Sequence, residues 1–203
     1  NSGNIISGKT ARAIRLENET LNQNAQLIKR SFAGIENMPY ALGNYTIGTS
    51  AVLTIDPGVV MKFENAGNLY VRNGLKAIGG ANIEDAVVFT SIYDDFYGGD
   101  THADGAAVVP TETSWYGIYF YNEAVDADCI LDNCVIRHAG YSSRAGVLAS
   151  NASPTIHNTR FDKCYNAIMC ENASFPLIQD CDFKAMNKSY GYAIWNKNTA
   201  TTV

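Results

Sequence analysis

The sequence predicts an all-β protein in which short parallel strands wind into a solenoid, a parallel β-helix of about seven rungs. The first observation is the composition, which is rich in glycine and tyrosine, with 17 and 12 residues, while only 17% of residues are charged. The second is that short strand-like segments recur at spacings of 21 to 29 residues. The third is a turn-forming Asn or Asp at the same place in one set of these segments. At 203 residues, the chain is long enough to bury the core of one domain.

A seven-residue repeat supplies the first set of strands. The segments ILDNCVI at 130–136, TIHNTRF at 155–161 and LIQDCDF at 177–183 align without gaps. The fourth position is Asn or Asp in each of them, and these residues tolerate left-handed backbone conformations. We therefore expect one bend that recurs in every coil, with its polar side chains forming a ladder.

A second set of segments alternates with the first along the chain. It consists of GIYFYN at 117–122, GVLASN at 146–151, AIMCEN at 167–172 and AIWNKN at 193–198. Alternation along a strand gives each segment an inner and an outer side, and stacked rungs can bury a core that one rung cannot. The side chains expected to point inward are Ile118, Phe120, Val147, Ala149, Ile168 and Cys170. An antiparallel sandwich is less consistent with the sequence, because the single Asn-Gly pair, at 73–74, lies inside an apolar segment.

The remaining segments divide one domain, residues 1–203, into a start and a regular part. Residues 1–39 are expected to form an N-terminal rung or cap, with a short helix or an irregular cap within 19–39. Regular coils are expected over 40–203, interrupted by an inserted loop at 92–114. A solenoid that begins and ends on a rung exposes strand edges, so we expect one module of a larger protein, with adjacent domains as partners.

The segments LTIDPGVVMKF at 53–63, LYVRNGLKAIG at 69–79 and WYGIYF at 115–120 carry a family resemblance. They resemble the right-handed parallel β-helix of large secreted bacterial surface proteins of the pectate-lyase-like superfamily, over roughly residues 40–200. The resemblance implies a right-handed fold, a secreted or cell-surface location, and a structural or adhesion role with a polysaccharide or cell-surface component as partner. Because such folds host many activities, a polysaccharide lyase or glycoside hydrolase is the alternative.

The charge pattern argues against two other classes of protein. The formal net charge is −5 and the sequence contains no basic run, so nucleic-acid binding is not expected. No apolar stretch is long enough to span a bilayer, so membrane insertion is not expected. The first residues lack the apolar segment of a secretory signal peptide.

The segment YGGDTHADGA at 97–106 is a candidate calcium loop. Asp100 and Asp104 match the start of the D-x-[DN]-x-[DN]-G pattern, in which carboxylates on a sharply bent loop bind calcium. His102 departs from that pattern, because imidazole is a poor calcium ligand. Asp94 and Asp95 could complete the ligand set from the start of the loop. The alternative is a solvated turn rich in Asp and Gly.

The outward positions of the second strand set form an apolar stripe. Tyr119, Met169 and Trp195 would stand one above another with Leu148, and Tyr121 lies near the upper end of the stripe. Exposed aromatic rings in a row can stack on sugar rings, which makes these residues candidates for ligand binding. The alternative, which we favour, is that a loop or a neighbouring domain covers the stripe.

The outward positions of the first strand set supply the catalytic candidates. Arg137, Asp162 and Lys184 are expected in one column, and Arg160 and Asp182 in another. In a lyase, Arg137 or Lys184 would be the base, with calcium polarising the acid. A ladder of opposite charges between rungs explains the same pattern. His138, next to Arg137, is the third catalytic candidate, although the favoured interpretation is a polar surface residue.

All five cysteines fall in the last 75 residues, and an odd number cannot be fully paired within the chain. Cys134 and Cys181 occupy equivalent positions two rungs apart, which is too far for a direct bond. Buried free thiols are the favoured interpretation. A bridge between Cys164 and Cys170 within one rung is the open alternative.

Overall fold

The computed structural model describes residues 4–6, 11–187 and 189–198. Within them the chain forms eighteen strands and three short 3-10 helices, and every pairing between the strands is parallel. The strands are β1 Ile14–Arg15, β2 Thr20–Leu21, β3 Ala25–Leu27, β4 Tyr40–Ile47, β5 Val52–Ile55, β6 Val60–Val71, β7 Gly74–Ile78, β8 Val87–Ser91, β9 Gly117–Phe120, β10 Cys129–Asp132, β11 Cys134–Arg137, β12 Ala145–Ser150, β13 Thr155–His157, β14 Arg160–Asp162, β15 Asn166–Glu171, β16 Leu177–Gln179, β17 Asp182–Lys184 and β18 Ile194–Asn196. The 3-10 helices are Ile83–Asp85, Asp126–Asp128 and Tyr141–Ser143.

These strands form three faces of a prism, because β4 and β6 each turn a corner between two faces. Residues 60–63 of β6 pair with β8, whereas residues 68–71 pair with β9. The register between β4 and β6 shifts between Leu42 and Asn44, at the same corner. Sheet 1 contains β3, β5, β7, β10, β13 and β16; sheet 2 contains β1, the starts of β4 and β6, β8, β11, β14 and β17; sheet 3 contains β2, the ends of β4 and β6, β9, β12, β15 and β18. Two sheets thus have seven strands, which confirms the seven rungs predicted.

The core is a set of columns of apolar side chains inside the prism. In sheet 2, Phe89, Ile136, Phe161 and Phe183 occupy equivalent positions on successive rungs. The rings of Phe161 and Phe183 are stacked with their centroids 5.5 Å apart. Burial of one such side chain contributes about 1.5–3 kcal/mol to folding. The six residues predicted to point inward in sheet 3 are all buried, and five of them join the core inside the prism, whereas Tyr119, Leu148 and Met169 pack together in a separate cluster, which confirms the alternation read from the sequence.

The bend between sheets 1 and 2 is the one predicted from the repeat. Asn133, Asn158 and Asp180 have positive φ values of 49°, 45° and 52°. The amides of Asn133 and Asn158 both donate to Oδ1 of Asp132, each at 3.2 Å. Asn133 and Asn158 therefore meet at one shared acceptor, the carboxylate of Asp132, which precedes the bend.

The short helix considered for residues 19–39 was wrong for the part that the structure describes. This segment contains β2 and β3, which add to the edges of β4 and β5. Ala25 and Leu27 pack against the core from β3. An unpaired strand edge offers backbone partners along its whole length, and the short segment uses them in place of internal helical bonds. Residues 13–18 join in the same way, since β1 pairs with β4.

Two remaining expectations concern the cysteines and the membrane. All five cysteines are free, so the open alternative of a Cys164–Cys170 bridge was wrong. In the part of the chain that the structure describes, no helix has both the length and the apolar character needed to cross a membrane.

Candidate functional site

The candidate site is built by the long loop, residues 92–116, which connects β8 of sheet 2 to β9 of sheet 3 and lies on the outside of sheet 2. Lys62 of β6 donates a hydrogen bond from Nζ to the carbonyl oxygen of Gly99 at 2.6 Å. The backbone N–H of Arg12 donates to the carbonyl of Thr101 at 2.9 Å. The loop is thus tied to the solenoid at points far apart in sequence.

Three carboxylates of this loop lie together. Asp95, Asp100 and Asp104 each place one oxygen within 4.8 Å of the others. The carboxylate of Asp100 accepts the backbone N–H groups of Asp104 and Gly105 at 3.1 and 3.0 Å. Oδ2 of Asp104 is buried and has no hydrogen-bond partner. Of the four aspartates predicted as calcium ligands, the structure therefore brings three together and places Asp94 elsewhere.

The electrostatics of the three carboxylates differ. Burial, and then the neighbouring charge of Asp100, raise the pKa of Asp95. Hydrogen bonds from backbone N–H groups lower the pKa of Asp100, and the bond from Gly105 has the largest effect. Hard oxygen ligands on a bent loop are what calcium prefers, so these residues fit the ion, with carbonyls and water needed to complete six to eight ligands. The ring of His102 packs edge-on against Tyr93 at 5.1 Å, which accounts for an imidazole at this position of the motif.

Lys62 is a member of the site that the sequence analysis missed. Its side chain is fully buried, and burial lowers its pKa to about 8, against the opposing effects of Asp94, Asp95 and Asp100. Alternation in β6 places Lys62 on the outer side of the sheet, where a lysine is normally solvated. The loop covers it, and no local signal in the sequence indicates that cover.

Arg137 lies at the centre of a second group, under the start of the same loop. Its Nη1 is 2.9 Å from Oδ2 of Asp94, and its Nε is 3.2 Å from Oδ2 of Asp162. The guanidinium also lies over the rings of Phe96 and Tyr97, 5.2 and 5.3 Å from their centroids. The column of Arg137, Asp162 and Lys184 was therefore predicted correctly, and the loop adds contacts that the repeat does not encode.

His138 and Lys184 do not join Arg137 in a catalytic arrangement. His138 is 2% exposed, so the prediction of a surface residue was wrong, and burial lowers its pKa to about 4. It is buried because its carbonyl accepts the N–H of Ser114, which brings the end of the long loop over it. Lys184 lies two rungs from Arg137 and forms an ion pair with Asp182 at 2.7 Å.

The middle of the stripe on sheet 3 is covered, in line with the alternative that we favoured over an exposed ligand-binding stripe. Tyr119, Leu148 and Met169 are each no more than 3% exposed. Their cover comes from neighbouring side chains on the same face, namely Tyr70, Tyr116, Tyr121 and Trp195, together with Arg144, whose guanidinium lies 5.8 Å from the centroid of the Tyr119 ring. We call Tyr70, Tyr116, Tyr119, Tyr121 and Trp195 the aromatic surface. Large outward rings on adjacent rungs pack on one another and Tyr116, at the end of the long loop, packs with them, so no neighbouring domain is needed to bury the middle of the stripe.

The comparisons with known proteins agree with this architecture. The family model described as right handed beta helix region matches residues 107–203. The searches of curated proteins and of solved structures gave no match. Together with the parallel three-faced topology, the match shows a right-handed parallel β-helix, and it is compatible with the resemblance to the pectate-lyase-like superfamily.

Proposed function

We propose that this right-handed β-helix module serves as a non-catalytic structural or adhesion part of a secreted or cell-surface bacterial protein, with calcium fastening its long loop. The observation that carries the proposal is the group formed by Asp95, Asp100 and Asp104. Buried polar atoms are nearly always bonded, and the unpartnered Oδ2 of Asp104 lies within this group. A cation there would supply the missing partner.

Calcium would act on the loop through charge. Three carboxylates close together repel one another, and Lys62 is the lysine whose charge opposes that repulsion from below. A divalent ion bound by all three would relieve the repulsion and hold the loop against sheet 2. Because the three aspartates come together only in the folded chain, binding would stabilise the fold.

The aromatic surface is the place we propose for a polysaccharide or other cell-surface component. Tyr119 and Met169 are buried beneath their neighbours, so contact would come from the partly exposed rings of Tyr121 and Trp195. Flat aromatic faces on a rigid sheet suit sugar rings, which have apolar faces of similar size.

The geometry favours a non-catalytic role over the lyase or hydrolase alternative. Arg137 forms ion pairs with two carboxylates, and guanidinium groups in general are poor bases. His138 is buried behind it, and Lys184 lies two rungs away. The three candidates therefore do not meet at a common point where a substrate could react.

The test of the proposal is thermal unfolding in EDTA and then with increasing calcium. The wild type is compared with Asp100→Asn/Asp104→Asn, which removes two charges and keeps one of the two Asp100 oxygens that accept loop N–H groups. Glu19→Gln/Glu36→Gln, at two exposed acidic residues, is the matched control. At calcium a hundred times the Kd, the wild type and the control should gain about 2.7 kcal/mol. An equal gain in the double aspartate variant, or none in the wild type, would contradict the calcium proposal.

A further inference from the structure

A cleft on the outside of sheet 2 lies beside the long loop and has a volume of about 630 Å³. The loop supplies one wall, and β11, β14 and the turn before β8 supply the rest. Clefts of 300–1,000 Å³ are typical of small-molecule sites. The lining residues are Ile83, Glu84, Phe96, Tyr97, Arg137, Arg160, Asp162 and Lys163.

Two arginines in the lining have unused hydrogen-bond donors. The Nε atoms of Arg137 and Arg160 are both buried, and neither has a hydrogen-bond partner among the described residues. Arg137 comes close to Asp162, but the 3.2 Å contact lacks hydrogen-bond geometry at Nε. Buried polar atoms without partners are rare in folded proteins. Two of them in one cleft indicate that an acceptor is missing there.

The charges of the lining do not balance locally. Arg137 is compensated by Asp94, behind the cleft, and by Asp162. Within the described chain, neither Arg160 nor Lys163 has an acidic group within ion-pair distance. Glu84 is the one remaining acid in the lining and forms no ion pair there either. Arg160 and Lys163 therefore outnumber Glu84 by one positive charge on their side of the cleft, whereas Arg137 with Asp94 and Asp162 has one negative charge in excess on the other side.

The opposite side of the cleft is apolar. Phe96 is 77% exposed and Ile83 is 50% exposed, although both are large hydrophobic residues. The ring of Phe96 is held in place by an edge-on contact with Tyr97 at 4.9 Å and by the guanidinium of Arg137. An exposed ring across the cleft from an unpaired arginine can contact the flat face of a ligand while the arginine binds its charged end.

We propose that this cleft binds a small organic anion with one carboxylate or sulfate group on a ring-shaped body. On binding, the partly exposed side chain of Arg160 turns so that Nε and one Nη reach the oxyanion, the two-point geometry in which guanidinium matches such groups. Lys163 adds charge at the rim, and Phe96 packs against the ring. The cleft shares the long loop with the proposed calcium group, because Phe96 and Tyr97 follow Asp95 directly, but none of the three aspartates of that group lines it.

The experiment is isothermal titration calorimetry with three probes, namely benzoate, glucuronate and inorganic sulfate, and with neutral benzamide and glucose as their uncharged counterparts. Arg160→Gln should weaken binding of the charged probes about tenfold or more. Arg160→Lys keeps the charge and loses the two-point geometry, so its affinity for the charged probes should lie between those of the wild type and Arg160→Gln. Arg72→Gln is the control, because Arg72 is a surface arginine paired with Glu123 elsewhere on the solenoid. Circular dichroism verifies that each variant is folded.

Two further sets of titrations show which kind of ring the ligand carries and whether binding to the cleft depends on calcium. Phe96→Ala should weaken benzoate or glucuronate but leave sulfate unchanged, and the tighter of the two ring probes shows whether the ligand is an aromatic or a sugar acid. All titrations are run in EDTA and in calcium. Binding that depends on Arg160 in either buffer supports the cleft even if calcium has no effect on stability. Absence of binding by all three anions at several millimolar, or equal binding by wild type and Arg160→Gln, would overturn it.

Discussion

Asp94 and Arg137 form a buried ion pair that joins the long loop to β11, with Nη1 and Oδ2 2.9 Å apart and both side chains no more than 9% exposed. Oδ2 of Asp94 also accepts a hydrogen bond from the hydroxyl of Thr90 at 2.6 Å. The pair spans 43 residues of sequence. It is therefore a tertiary contact that fixes where the loop lies on sheet 2.

Removing one partner of this pair should be strongly destabilising. Asp94→Ala removes the closer counter-charge of Arg137 and leaves the Thr90 hydroxyl without its acceptor. An uncompensated buried charge costs about 3–5 kcal/mol, and because Asp162 still faces Arg137 we expect a loss of about 2–4 kcal/mol. Urea unfolding measures the loss. The control is Asp85→Ala, which breaks the half-exposed pair with Lys29 and should cost no more than about 1 kcal/mol. Similar losses in the two variants would show that the Asp94 pair is no stronger than a surface contact.

Part of this site could be predicted from the repeat and part could not. Arg137, Asp162 and Lys184 fall in one column because the aligned segments fix the register of the strands. The bend at Asn133 follows from the same alignment. The partner of Asp94 has no such signal, because the loop occurs once and its position depends on contacts with distant residues.

Side-chain size explains why the stripe is covered largely by its own neighbours, where a loop or another domain was expected. Strand alternation correctly places Tyr119 on the outer side of sheet 3, in register with Tyr70 and Leu148. Its burial arises from contacts between rings, such as the 5.7 Å separation of Tyr70 and Tyr119. The alternation of a strand predicts which face a side chain occupies, but it does not predict how far large neighbours on that face reduce its exposure.

His138 should make stability depend on pH below neutrality. Burial lowers its pKa from 6.5 to about 4, so between these values the unfolded chain takes up a proton that the folded chain does not. Above pH 6.5 His138 has no effect on the pH dependence of stability. As the pH drops from 6.5 towards 4, the free energy of unfolding falls, by on the order of 3 kcal/mol in total.

The matched variant is His138→Asn, since Asn cannot titrate there and tolerates the positive φ of 58° at this position. Urea unfolding of both proteins at a series of pH values gives the difference in their free energies of unfolding. The wild type should lose stability relative to the variant as the pH falls from 6.5 to 4. A constant difference would mean that His138 takes up its proton equally in both states.

Depth along the solenoid should determine the cost of removing a core ring. Phe161 is fully buried between neighbouring rungs, whereas Phe183 lies on the last strand of sheet 2 and is only partly buried. Phe161→Ala should cost about 3–5 kcal/mol through lost burial and a residual cavity. Phe183→Ala removes the same atoms at a less enclosed position and should cost less in the same urea titration. Equal costs would show that the last described rung is as tightly packed as the interior.

The five thiols should react slowly in the folded protein, although none of them forms a disulfide. Burial raises the pKa of Cys164 to about 12 and that of Cys170 to about 11, so both stay protonated at neutral pH, and the thiolate is the reactive form. A chromogenic disulfide reagent should therefore label few thiols in the native protein and all five after unfolding without reductant. Cys181, which is partly exposed, should react first among them. Cys181→Ser would then remove the earliest phase of labelling, and a shortfall of two thiols in the unfolded chain would instead reveal a disulfide.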